Sequence, residues 1–150
     1  MKKSSQNSSH SKFSIMPNRM VEETLTITEF FIEGDLLTAK FNRTYSNQMR
    51  NSPSHLTLTT IPLQTQKLGY LLFCSKLGID TTLEDDELFK IWPNKLDIQL
   101  DFLINKENDL IQTIKVIKLD KLFDGSFDYA IESTVESKMR IYSEGKIFII

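Results

Sequence analysis

The sequence predicts an α+β domain in which one antiparallel sheet wraps a single central helix. Three observations carry that expectation. Only residues 54–77, SHLTLTTIPLQTQKLGYLLFCSKL, contain a long apolar segment with helical spacing. Alternating, β-branched patterns precede it over residues 24–44 and fill most of the chain after it. Strands segregated from one helix must bury that helix against a sheet face, because neither element can shield its apolar side alone.

In chain order, residues 1–12 are Ser, Asn and Gln with a few charges, too poor in apolar groups to offset ordering entropy. They are expected to belong to a disordered tail running to residue 19, with one domain over 20–150. His10 lies in that tail without an assigned role. TLTITEFFIE and LLTAKFNRT read as two strands joined at Gly34-Asp35, where Gly at the first central position fits a II′ turn. Residues 45–53 form a polar connector.

Pro62 suits the first helical position, with Thr59 or Thr60 as cap, so the helix is predicted over 62–77 and closed by Gly78. Leu68, Leu71, Leu72, Phe73, Cys74 and Leu77 supply its apolar surface. Gly69 costs a helix about 1 kcal/mol against Ala, which points to close approach of another backbone. Residues 80–87 are an acidic loop. LFKIWP is a short turn or edge strand, and KLDIQLDFLI alternates Leu96, Ile98, Leu100 and Phe102 against Asp97, Gln99 and Asp101. LIQTIKVIKLDKLF and FDYAIESTVESKMRIYS read as long strands separated by a type I′ turn at Asp124-Gly125. The second is expected to kink near Glu136–Lys138, and a turn at Glu144-Gly145-Lys146 leads into a last strand, KIFII.

With 150 residues, 40% hydrophobic and net charge −2, the chain suits one substantial core, and its mild acidity argues against nucleic-acid binding. No apolar run approaches a membrane span, and the start lacks a signal-peptide core, so a cytoplasmic protein is expected. One cysteine, Cys74, excludes an internal disulfide or a multi-cysteine zinc site, and its apolar setting makes it a packing residue. No Gly-rich phosphate loop, nucleophile elbow or metal-ligand spacing is present, so neither metal nor cofactor is expected.

Long strands around a central helix describe the hot-dog fold. DYAIESTVESKMRIYSEGKIFI resembles the closing hairpin of hot-dog acyl-thioester enzymes, and DFLINKENDLIQTIKVIKL resembles their preceding hairpin. SHLTLTTIPLQTQKLGYLL is similar to the corresponding segment of FcoT-type long-chain acyl-CoA thioesterases. That family has Gly-His, an Asn two residues on, and a helical Asn eleven residues after the His. Aligned on His55, these positions hold Ser54, Thr57 and Gln66. A tyrosine expected six residues before the His falls on Met49, with Tyr45 nearby.

The resemblance implies a homodimer or higher homo-oligomer acting on thioesters of coenzyme A or acyl carrier protein at the helix N-terminus. There the dipole and unpaired N–H groups stabilise an oxyanion. His55 is the candidate base, Gln66 and Thr57 the polar positioning groups, and Gln64 the oxyanion-side donor. Tyr45, Asn51 and Tyr70 are candidate substrate contacts. Residues 61–77 hold no Asp or Glu. Hydrolysis without a carboxylate, a carboxylate arriving across a dimer interface, and acyl binding without turnover all stay open. So do a hydroxyacyl dehydratase and an A-factor-type hot-dog enzyme.

Overall fold

A computed structural model describes residues 8–16, 19–47, 56–79 and 89–149. Its strands are β1 (Ser8–Met16), β2 (Arg19–Glu33), β3 (Leu36–Asn47), β4 (Phe89–Leu100), β5 (Leu110–Lys121), β6 (Phe127–Val135) and β7 (Met139–Ile149), and helix α1 is Ile61–Leu77. The strands form one sheet in the order β1-β2-β3-β5-β6-β7-β4, antiparallel at every pairing. It curls strongly around the helix. Extra residues interrupt the ladders at Ser14/Met16, Ile27/Glu29, Pro93/Lys95 and Val116/Lys118. Such bulges bend and twist a strand, which is how a long sheet closes on a helix. Among the described residues a single helix is wrapped by a curled antiparallel sheet, the arrangement of the hot-dog fold.

The helix is bounded by local chemistry. Pro62 sits in its first turn, and Gly78 ends it at φ 68°. Ile79 N donates to Cys74 O at 2.9 Å and Gly78 N to Ser75 O at 3.4 Å, a Schellman ending that only a left-handed residue permits. Leu68, Leu72, Phe73 and Cys74 are fully buried against Leu25, Phe41, Ile114, Ile131 and Ile141 from the sheet's concave face. Among the described residues, no helix is long and apolar enough to cross a membrane.

The hairpin at Gly34-Asp35 is observed, with Gly34 at φ 60°. Four expectations are corrected. First, residues 8–16 are strand β1, not part of a disordered tail. Its poor local propensity is overcome by β2, which extends back to Arg19 and offers a free edge. His10 Nε2 lies 2.8 Å from Glu22 Oε1, holding that carboxyl below its ordinary range. Second, no turn breaks the chain at Gly145. β7 runs through it, and a Cβ there would lie 2.2 Å from Trp92 O at the β4 bulge, so the glycine serves close approach. The last hairpin instead turns at Glu136 and Ser137, at φ 52° and 55°.

Third, the β5–β6 connection is a five-residue loop rather than a two-residue I′ turn, since Lys121 pairs with Phe127. Leu122 N donates to Ser126 O at 2.7 Å, and only Gly125 of the Asp-Gly pair has positive φ. Fourth, Leu96 and Phe102 are 49% and 68% exposed, so the alternation around β4 buries only part of its apolar side. β4 is a sheet edge and Phe102 lies beyond its end.

Candidate active site at the helix entrance

Two alternation patterns bring charge to the helix entrance. Along β2 the inward positions are Val21, Glu23, Leu25 and Ile27; along β3 they are Leu37, Ala39, Phe41 and Arg43. Period-2 geometry therefore turns Glu23 and Arg43 into the core. Both side chains are fully buried, with Arg43 Nη1 4.0 Å from Glu23 Oε2. Glu23 accepts from Thr57 N at 3.1 Å and from Thr57 Oγ1 at 2.6 Å. It therefore holds the segment that leads into α1. Leu56 N donates to Ile104 O at 2.7 Å, fastening the same segment to the β4–β5 loop.

Thr60 occupies the cap position, but its side chain bonds no helix amide. Its hydroxyl instead meets Ser11 of β1, and Lys67 reaches the Ser8 carbonyl. Leu63 N and Gln64 N both donate to Thr60 O, at 3.1 and 3.2 Å. Those first-turn donors are engaged, and Pro62 contributes none.

A second buried polar group lies further inside. Gln64 Nε2 donates to Gln112 Oε1 at 2.9 Å, and Gln112 Nε2 donates to Thr65 Oγ1 at 2.8 Å and Ser133 Oγ at 2.9 Å. Thr65 Oγ1 returns its proton to Ile61 O at 2.8 Å. Gln64 Oε1 has no partner among the described residues.

Beside the helix runs a mostly apolar cleft of about 110 Å³. α1 lines it with Pro62, Leu63, Thr65, Gln66, Gly69 and Phe73; β4 adds Ile91, Pro93 and Leu96; β6 and β7 add Tyr129, Ile131 and Ser143. The Tyr129 and Ser143 hydroxyls lie 3.3 Å apart, and burial pushes the Tyr129 phenol up.

The predicted residues separate accordingly. Gln66 is exposed and lines the cleft, whereas Gln64 is buried in the Gln112 network; two residues apart on a helix, they point to different sides. Thr57 binds Glu23. Tyr70 does not line the cleft but stacks on Phe89, ring centres 4.3 Å apart. Tyr45 lies under the Arg43 guanidinium, 5.4 Å from its ring centre. His55, Asn51 and the acidic loop 80–87 lie outside the described residues. Cys74 is buried, which raises its thiol pKa to about 11, as suits a packing residue.

Sequence reasoning missed Glu23 and Arg43, although an acid or base in phase with apolar alternation was the available signal. A carboxylate does reach the helix entrance, from β2 of the same chain. Among the described residues no three or more His, Cys, Asp or Glu side chains are grouped to hold a metal.

By fold this is a hot-dog protein. No protein-family model and no curated protein matches the sequence. Among solved structures it is similar to thioesterase PA1618 from Pseudomonas aeruginosa, crystallised as a glutamine-to-alanine mutant. The two share 10% identity over 84% of this chain and 82% of that one, with a TM-score of 0.53. The HP0420-homologue from Helicobacter felis shares 9% identity over 81% of this chain and 87% of that one, with a TM-score of 0.44. At such identities the first likeness is one of fold.

Proposed function

We propose that the protein is a thioester hydrolase acting on fatty-acyl-type thioesters of coenzyme A or acyl carrier protein. The observation that carries this reading is Gln66, an exposed amide on the wall of an apolar cleft along the first half of the helix. An acyl group in the cleft would bring its carbonyl to Gln66, whose N–H donates to the oxygen as charge develops there. His55, one residue before Leu56, takes the proton from the attacking water and delivers it to the departing thiolate. The products are a free acid and a free thiol. Thr57 supports this arrangement through Glu23 and fixes the loop that follows His55.

The parallel with FcoT-type enzymes is confined to this entrance segment, and the homodimer belongs to the same proposal. β4 is a sheet edge whose Leu96, 49% exposed, lines the cleft, a surface suited to a second copy.

One observation favours a second reading, an acyl-binding module without turnover. The Leu63 and Gln64 amides already bond Thr60 O, so the helix offers fewer oxyanion donors than an open N-terminus. Thiol release from a panel of acyl-CoAs and acyl carrier proteins separates the two readings. Hydrolysis is expected, falling at least about a hundredfold in His55→Ala and Gln66→Ala. Unchanged turnover in both variants rejects the site. A thermal shift without thiol release selects the binding module, and the absence of both signals rejects the thioester reading.

A further inference from the structure

Gly69 is a glycine that the helix does not require. Its backbone is not left-handed, and a Cβ built there would meet Ile131 Cδ1 at 3.7 Å and Phe73 Cε2 at 4.0 Å. Both are ordinary side-chain contacts. The close backbone approach predicted from the sequence is not found among the described residues, where the neighbours of that Cβ are side-chain atoms. What the missing methyl leaves is space. Gly69, Phe73 and Ile131 all line the cleft, so a side chain at 69 would stand among its walls.

Size follows from the volume of the cleft and from the position of Gly69 along the helix. An apolar cavity of about 150 Å³ holds benzene, so about 110 Å³ accommodates about four carbon atoms on the same scale. Gly69 lies three residues beyond Gln66, about 4.5 Å along the axis, or about three to four carbon–carbon bonds.

We propose that Gly69 is the specificity-determining position of this cleft, and that the acyl group it admits is short, about four carbons. The inference rests on the thioester reading for its substrate and names the acyl size that reading leaves open. On the sheet side of the cleft, the Tyr129 and Ser143 hydroxyls lie within bonding distance of each other. Adding a methyl at 69 shortens the admitted chain, and a larger side chain closes the cleft.

The test uses the full-length protein and two series of 2 to 12 carbons: acyl-CoAs for thiol release, and S-alkyl-CoA thioethers, which bind but cannot hydrolyse, for calorimetry. Both wild-type profiles are expected to peak near four carbons. Gly69→Ala is expected to lower kcat/KM for butyryl-CoA about tenfold or more while acetyl-CoA stays within about threefold. Gly69→Leu is expected to remove butyryl turnover and butyl thioether binding. Melting temperature checks that each variant is folded, and the alanine variant, a better helix former, keeps the test decisive if leucine unfolds the protein.

Turnover with an unmoved profile in Gly69→Ala overturns the gate and leaves the hydrolase. A wild-type peak at ten carbons or more overturns the short-acyl inference. Thioether binding that peaks near four carbons and moves in Gly69→Ala, without thiol release from any substrate, upholds the gate and rejects hydrolysis. The absence of both turnover and thioether binding overturns the gate and the thioester reading together.

Discussion

Replacing Glu23 with leucine tests the construction of the helix entrance. The substitution removes a fully buried carboxylate 4.0 Å from the equally buried Arg43 guanidinium. Removing one partner of a buried pair costs about 3–5 kcal/mol, because the remaining charge stays desolvated. Thr57 N–H and Oγ1–H also lose their acceptor, at about 1–3 kcal/mol for each donor left buried and unpaired. These terms share one site and overlap, so the expected loss is about 4 kcal/mol rather than their sum.

For a chain of this length that corresponds to roughly 8–16 °C in Tm. Urea denaturation followed by far-ultraviolet circular dichroism measures the free energy. Amide exchange at Thr57 should accelerate more than exchange in the centre of β6. The double variant Glu23→Leu/Arg43→Leu should recover part of the loss, because it leaves no buried guanidinium behind. A single-variant loss below about 1 kcal/mol, or a double variant costing the sum of the two singles, would show that the pair is not coupled and refute the reasoning.

Three other outcomes follow from packing and titration. Gly145→Ala forces a methyl to 2.2 Å from Trp92 O and 2.7 Å from Pro93 Cα, so it should cost at least about 2 kcal/mol in urea denaturation. A loss of a few tenths would mean that the β4 bulge yields freely. Cys74, with its thiol raised to about 11, should resist alkylation at pH 8 in the native protein and react once urea unfolds it. Above the ordinary thiol pKa the folded state retains a proton that the unfolded state releases, so this residue's contribution to stability falls as pH rises from about 9 to about 11. Native-state alkylation as fast as that of a free thiol would contradict the burial.

The helix was legible because its signals are local: Pro62 opens it, Gly78 closes it, and leucines recur at helical spacing. Gln66 was likewise legible as a polar residue on its first turns. Gly145 was misread because glycine serves turns and close approaches alike, and only the bulged partner strand shows which applies. The true hairpin at Glu136-Ser137 carried no glycine to announce it. β1 was misread as disordered because a serine-rich strand depends on a neighbour far along the chain for its hydrogen bonds.

Residue spacing was enough to place the central helix, with its start and stop, and to supply strands that surround it. Those features arise from spacing and from backbone restrictions on Pro and Gly, which act within a few residues. The meeting of Glu23 and Arg43 at the helix entrance and the opening of Gly69 onto a cleft could be read only once the chain was folded. Those relations depend on strand register and sheet curvature, which bring together side chains from β2, β3, β4 and the helix that no local pattern links.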